Sequence, residues 1–214
     1  MKKLFLFFLF CCFWRQLLCQ NMALQNGDLL FQIGRSSDLT DAISASTATD
    51  ERYNYTHVGI VCIEHDSIFV IEATPPCVSK TPLSVFLNNS AFVNEKPLVA
   101  VARLNRHTQR LVDLTAIVKK AHLYLGQPYD YIYSPNNEAY YCSELVYLCY
   151  CTKKHNKPIF KTIPMTFKNK NNDFSHWIEH FAFYNAPIPE GEQGTNPQQL
   201  SRSKKIQVVF RFFD

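Results

Sequence analysis

Apolar runs separated by turn-forming residues divide the chain into predicted strands. Residues 29–33 form an apolar run after the turn signal Asn26-Gly27-Asp28 and predict a first strand. Residues 57–63 and 68–73 are two β-rich runs around the polar segment 64–67, which predicts a β-hairpin. Two more runs, residues 98–104 and residues 206–213, predict further strands.

Other segments carry a helical pattern. Residues 38–43 begin with Asp38, a good N-cap residue, and predict a short helix. Residues 108–125 and 142–151 predict two longer helices, separated by Gly126-Gln127-Pro128 and a tyrosine-rich loop. Residues 152–194 mix proline, asparagine and aromatic residues, and we expect them to wrap the core. Without repeats or a clear linker, the pattern predicts one α+β domain.

The first twenty residues differ from the rest of the chain. Lys2-Lys3 precedes an apolar run over residues 4–14, which is about as long as a signal peptide requires and too short to span a bilayer. No small-x-small pattern marks a cleavage site, and Cys19 is a candidate for lipidation. We therefore expect residues 1–20 to be a signal peptide or lipoprotein leader, and residues 21–214 to be the folded domain. The expected location is periplasmic or extracellular, with membrane association if the leader is lipidated.

Composition limits the classes of function. The 214 residues are 47% hydrophobic and include only 6 glycines, which indicates a packed globule. The net charge of +4 is spread along the chain, whereas a nucleic-acid-binding protein would need a dense basic stripe. Five cysteines follow the leader, so at least one thiol should be free. The other four are compatible with disulfides or with buried thiols.

The predicted hairpin places a histidine near a carboxylate. If its turn is centred between residues 65 and 66, Gly59 pairs with Glu72, and His57, Gly59 and Glu72 share one face. His57 and Glu72 are then diagonal neighbours, about 7–8 Å apart at the backbone. Glu72 lies in an apolar strand, where pairing with an imidazole would stabilise its charge. The alternative is a glutamate at the strand end that faces solvent.

Cys142 lies at the predicted first turn of a helix. The partial positive charge at a helix N-terminus stabilises a thiolate, which is the reactive form of cysteine. The alternative is a buried structural cysteine. Cys149, Cys151 and His155 suggest a metal site only superficially, because Cys149 falls on the same helix face as Cys142 and is interpreted as packing. Four histidines show no convincing partner in the sequence: His107, His122, His176 and His180.

Three motifs together resemble one protein superfamily. Gly126-Gln127-Pro128-Tyr129 and Tyr141-Cys142-Ser143-Glu144-Leu145-Val146 resemble the nucleophile segment of NlpC-type cysteine peptidases, and His57-Val58-Gly59-Ile60-Val61 resembles their histidine strand. The parent arrangement has the cysteine helix first, whereas here it follows the histidine strand. That order marks the circularly permuted branch, which includes YiiX-like proteins and the lecithin retinol acyltransferase group. Gly27-Asp28-Leu29-Leu30-Phe31 and Tyr129-Asp130 are most similar to the YiiX-like subgroup, and the resemblance covers about residues 26–150.

The resemblance implies a circularly permuted papain-like fold, with an antiparallel sheet or small barrel packed against helices. It implies Cys142 as the nucleophile, His57 as the base and Glu72 as the residue that orients the histidine. Tyr129 falls where the superfamily places a tyrosine near the nucleophile, in contact with the oxyanion; the alternative is an ordinary loop aromatic. The backbone N–H of Cys142 is a second candidate oxyanion donor.

The expected function is an exported cysteine hydrolase that cleaves an amide bond through an acyl-enzyme, without a metal or organic cofactor. The superfamily suggests cell-wall peptides as substrates, and the permuted relatives suggest N-acyl amino acids or lipids. One rival is an acyltransferase that uses the same acyl-enzyme. Another is a non-catalytic ligand-binding protein of the same fold. Oligomeric state and the choice among these small substrates are left open by the sequence.

Overall fold

A six-stranded antiparallel sheet is the centre of the computed structural model, which describes residues 23–135 and 137–214. The predicted leader, residues 1–20, lies outside the described residues. The sheet order is β10-β7-β1-β2-β3-β4, and two short strand pairs, β5 with β6 and β8 with β9, accompany it. The strands are β1 (Leu29–Gln32), β2 (His57–Glu64), β3 (Ser67–Thr74), β4 (Cys77–Pro82), β5 (Phe92–Val93), β6 (Lys96–Pro97), β7 (Val99–Leu104), β8 (Ile163–Pro164), β9 (Gln193–Gly194) and β10 (Ile206–Arg211).

Seven helices surround the sheet in the described part of the chain. They are α1 (Asp38–Thr47), α2 (Leu83–Asn88), α3 (Arg106–Gln109), α4 (Leu114–Leu123), α5 (Cys142–Cys149), α6 (Ile178–Phe183) and α7 (Pro197–Ser201). The expectation of one helix over residues 108–125 is wrong. The helical conformation is interrupted before Leu114, because Asp113 is the N-cap of α4. Its side chain accepts hydrogen bonds from the N–H groups of Thr115 and Ala116 at 2.9 and 3.2 Å.

Alternating side chains cover both faces of the sheet. In β1, Leu29 and Phe31 join the larger hydrophobic cluster, which contains residues of α4 and α5. Leu30, between them, joins a second cluster that includes Phe86 of α2. This period of two is the geometry of an extended strand that is buried on both sides. Residues 152–194 contribute Phe167, Trp177 and other side chains to the larger cluster, as expected of a segment that wraps the core.

The predicted hairpin register is confirmed. Ile63 pairs with Ile68 and Ile60 pairs with Ile71, around a turn in which His65 and Asp66 both have positive φ. Glu72 pairs on its other side with Ser79 of β4. Strand β4 was not predicted from the sequence, and its presence makes β3 an inner strand. That explains why Glu72 is only 4% exposed.

Among the described residues, no helix combines the length and the apolar character needed to cross a membrane. The predicted α+β class is observed, and it takes the form of an antiparallel sheet covered by helices. The first residue of β2 is His57, and the first residue of α5 is Cys142. The ends of these two elements therefore position the candidate site.

Candidate active site

His57 and Glu72 form a buried pair on neighbouring strands. Nε2 of His57 lies 2.5 Å from Oε2 of Glu72, and the two side chains are 17% and 5% exposed. The imidazole also packs beside Phe86, with ring centroids 5.8 Å apart. The alternative of a solvent-facing Glu72 is wrong, because the carboxylate is buried and already has a partner.

Cys142 is the first residue of helix α5 and is 5% exposed. Tyr141 precedes it in an extended conformation, and the backbone N–H of Tyr141 donates to Glu144 Oε2 at 3.4 Å. Leu145 and Val146 of the same helix anchor it in the larger hydrophobic cluster. The thiol therefore sits at the positive end of a short, well-packed helix, where a thiolate is stabilised.

The histidine joins the cysteine and the glutamate. Burial alone would lower the pKa of His57, but hydrogen bonds to Cys142 and Glu72 raise it to about 10. Because Nε2 faces Glu72, Nδ1 is the ring nitrogen available to Cys142. The structure thus brings together the three residues predicted from the sequence, with the imidazole between thiol and carboxylate. A catalytic base requires this order, because the imidazole can take the proton of the thiol on one side while the carboxylate fixes the orientation of the imidazole on the other.

Tyr129 lies beside this group and is 5% exposed. Its hydroxyl is 3.4 Å from that of Tyr133. Burial, together with the nearby Tyr133 and Cys142, raises the pKa of Tyr129 well above its usual value, so the phenol stays protonated and can donate. Its position is compatible with an oxyanion donor, the first of the two roles considered for it.

Two concave regions meet at the thiol, and both are lined by Cys142 and Tyr129. The aromatic cavity is bounded mainly by large apolar side chains, and the polar groove mainly by hydroxyl, amide and guanidinium groups. Further residues of the aromatic cavity include Tyr133, Tyr141, Met165, Phe167 and Trp177. Further residues of the polar groove include Gln32, Arg35, Ser36, Ser37, Thr40 and Asn89.

Two buried hydroxyls face the aromatic cavity and have no hydrogen-bond partner among the described residues. They belong to Ser143, next to the nucleophile candidate, and to Thr195. Buried hydroxyls are normally paired, so these two are available to a polar group of a ligand. Sequence reasoning missed Phe167 and Trp177, because residues 152–194 have no periodic pattern, and it missed Thr195, which follows that segment directly. The aromatic residues in this segment were the one signal that could have indicated that it lines a cavity.

The remaining sequence candidates have other surroundings. Asp28 forms a 2.7 Å ion pair with Arg103, so its position is explained by a contact between the start of β1 and β7. Cys149 is buried, which raises its pKa to about 12, as expected for packing. The five cysteines of the described residues are all free thiols. The expectation that His122 lacks a partner is wrong, because Nε2 of His122 lies 2.9 Å from Glu64 Oε1.

Comparisons with known proteins identify the family and the fold. Residues 23–210 match the model of the family described as permuted papain-like amidase enzyme, YaeF/YiiX, C92 family. The uncharacterized protein YiiX of Escherichia coli K12 is 35% identical over 126 residues, which are 59% of this chain and 57% of that protein. The crystal structure of the metalloprotein YiiX (DUF1105) from Escherichia coli O157:H7 superposes with a TM-score of 0.70 at 25% identity, covering 89% of this chain and 98% of the other. The chain belongs to the permuted papain-like amidase family YaeF/YiiX.

Proposed function

We propose that the protein is a thiol amidase that cleaves the acyl–nitrogen bond of an N-acylated amino acid or short peptide. The observation that carries this proposal is the position of His57, which contacts Glu72 through Nε2 and lines the same groove as Cys142. Cys142 is the nucleophile, His57 carries the proton, and Glu72 fixes the orientation and charge of the imidazole.

The proposed reaction has two halves. The Cys142 thiolate attacks the amide carbonyl carbon, and the π electrons move to the oxygen. As the tetrahedral intermediate collapses, the C–N bond breaks and the proton on His57 passes to the leaving nitrogen. Water then attacks the thioester with His57 as base, the C–S bond breaks, and the carboxylic acid leaves. The phenol of Tyr129 and the N–H of Cys142 are the proposed donors to the oxyanion.

The two concave regions support a particular class of substrate. The aromatic cavity suits an apolar or aromatic acyl group, because more of its surface is apolar than polar. The polar groove on the other side of the thiol suits the amine. Arg35 lies in that groove and donates to the carbonyl oxygens of Ser90 and Asn88, which leaves further N–H donors for a carboxylate. An acylated amino acid or peptide has both features.

The cellular location of the protein is a separate proposal. A leader in residues 1–20 would deliver the enzyme to the periplasm or the exterior, and lipidation at Cys19 would anchor it at a membrane. The solved relative is described as a metalloprotein. The amidase mechanism proposed for this chain routes no step through a metal ion.

The test is incubation of the purified protein with a library of N-acyl amino acids and muropeptides, read by mass spectrometry. Wild type should release the free acid and amine, and Cys142→Ala should lose this activity. Cys77→Ala is the matched control, since Cys77 is another free thiol that lines neither concave region. Cleavage that survives in Cys142→Ala would overturn the proposal.

The same assay separates the rival functions. Product that forms only when an acceptor amine or alcohol is added would identify an acyltransferase. Saturable binding of a library member without turnover would identify a binding protein of the same fold. Either result would replace hydrolysis as the function.

A further inference from the structure

We propose that Cys62, Glu64 and His122 form a second site, which binds one zinc-like divalent cation at the turn end of the β2–β3 hairpin. The first two residues lie on β2 and the third on helix α4. Cys62 is five residues along β2 from His57, or about 17 Å at about 3.3 Å per residue. The site is therefore spatially separate from the candidate active site, and the proposal does not rest on the proposed amidase activity.

The distances among the three ligand atoms fit one ion. Cys62 Sγ lies 3.5 Å from Glu64 Oε1 and 3.8 Å from His122 Nε2, and these last two atoms are 2.9 Å apart. Tetrahedral zinc, with bonds of about 2.3 Å to sulfur and about 2.0–2.1 Å to nitrogen or oxygen, requires ligand atoms about 3.3–3.6 Å apart. The three side chains already define one face of such a tetrahedron. Small side-chain shifts complete the fit, and the fourth position is left for water.

The orientation of His122 supports metal binding. Nδ1 lies 2.8 Å from the carbonyl oxygen of Val118, and only a protonated nitrogen can donate to a carbonyl. In the neutral ring, Nε2 therefore carries the lone pair and directs it at Glu64 and Cys62. Metal-bound histidines commonly have this arrangement, in which a carbonyl fixes the other ring nitrogen.

A proton or a cation must separate Nε2 from the carboxylate. At 2.9 Å the lone pairs of a neutral imidazole and a carboxylate repel each other. A proton on Nε2 resolves the repulsion by itself, and the Cys62 thiol then donates to Glu64 Oε1 at 3.5 Å. A divalent cation accepts all three ligand atoms, and the mixture of sulfur, nitrogen and oxygen is typical of zinc.

The site is accessible, and one residue competes for it. The side chains of Glu64 and His122 are 34% and 32% exposed, so an ion can enter from solvent. The Lys80 ammonium lies 2.7 Å from Glu64 Oε2, which leaves Oε1 free for the cation. Because the ammonium repels a cation bound to the same carboxylate, Lys80→Met should tighten binding. If Glu64 serves only as the ion-pair partner of Lys80, Lys80→Met should not increase the affinity for a cation.

The experiment is titration of the full chain carrying Cys142→Ala, which removes the active-site thiol as a competing ligand. Zn²⁺ affinity is measured by calorimetry, and Co²⁺ is used as a spectroscopic probe for thiolate coordination. We expect one equivalent of Zn²⁺ to bind and a sulfur-to-cobalt charge-transfer band to appear. Adding Cys62→Ser or His122→Ala should weaken binding at least about tenfold and remove the band or shift it strongly. Cys151→Ser is the matched control and should leave both signals unchanged.

Glu64→Gln separates the loss of a metal ligand from an effect on folding, because it changes a partly exposed position and keeps the shape of the side chain. It should weaken Zn²⁺ binding at least about tenfold and reduce the rise in melting temperature that Zn²⁺ causes. The proposal is overturned if the Cys142→Ala protein binds no Zn²⁺, or if Cys62→Ser and Glu64→Gln both bind it with unchanged affinity. Amide cleavage by the protein with Cys142 intact should be insensitive to Cys62→Ser.

Discussion

Glu72 Oε2 and His57 Nε2 lie 2.5 Å apart across a pair of antiparallel strands, in a region where both side chains are largely buried. Strand β4 covers the outer side of β3, so water has little access to the carboxylate. A buried carboxylate of this kind stabilises a neighbouring imidazolium more strongly than an exposed one would. The charge state of His57 therefore depends on Glu72.

Replacing Glu72 by glutamine should reduce amide cleavage sharply. The amide keeps the size of the side chain but removes the negative charge that holds the proton on His57. We expect kcat/KM to fall roughly 10²- to 10⁴-fold, as for loss of the charge behind a catalytic histidine. The measurement is steady-state kinetics on the best substrate of the library. Glu179→Gln, on helix α6 at a position that lines neither concave region, is the matched control and should retain full activity.

The reactivity of Cys142 should depend on the charge of His57. Because hydrogen bonds to Cys142 and Glu72 outweigh burial and raise the pKa of His57 to about 10, the imidazolium persists through neutral pH and is lost only as pH rises through that value. Iodoacetamide should therefore modify Cys142 rapidly even at pH 6, and amide cleavage should decline only near pH 10. Peptide mapping by mass spectrometry gives the modification rate of each thiol.

Cys149 supplies an internal reference in the same experiment, since burial raises its pKa to about 12. We expect Cys142 to react at least about tenfold faster than Cys149 at pH 6, and His57→Gln to remove that difference. If Cys142 reacts no faster than Cys149 at pH 6, or equally fast in His57→Gln, the activated nucleophile is contradicted.

Tyr129→Phe tests the role of the phenol. Loss of an oxyanion donor should lower kcat by roughly 10²- to 10³-fold with little change in KM. Tyr133→Phe is the matched control, because it removes the other hydroxyl of the 3.4 Å contact. If Tyr129 is a loop aromatic without a catalytic role, both variants should retain kcat and differ only in thermal stability.

Gly59→Ala should disturb both stability and the site. A Cβ at this position would collide with Val70 Cγ1 and lie 3.3 Å from Glu72 Cβ. We expect a loss of about 1–3 kcal/mol in the free energy of unfolding, measured by urea denaturation, together with reduced activity. In a double-mutant cycle, Val70→Ala should recover part of the loss because it removes the methyl group that collides. Strict additivity would show that Val70 is not the cause.

Local patterns were sufficient to predict the elements that carry the candidate triad. Alternation and the polar turn predicted the hairpin register, and with it the proximity of His57 and Glu72. The position of Cys142 at a helix start followed from the apolar pattern after the tyrosine-rich loop. These features depend on residues that are close in sequence.

The parts that were missed depend on distant contacts. The burial of Glu72 requires β4, which follows Pro75-Pro76 and has no strong apolar run. The aromatic cavity requires Met165, Phe167 and Trp177, which come from an irregular segment whose path is set by tertiary packing. The Cys62–Glu64–His122 group joins a strand to a helix, and nothing in the sequence gives their distance.

The position of Cys142 between an aromatic cavity and a polar groove has a kinetic consequence. If the acyl group occupies the cavity and the amine occupies the groove, the amine can diffuse away while the thioester remains in place. The second nucleophile then enters through the space that the first product has left. The enzyme should therefore follow ping-pong kinetics, and the occupant of the groove at that moment determines whether the acyl group passes to water or to another amine.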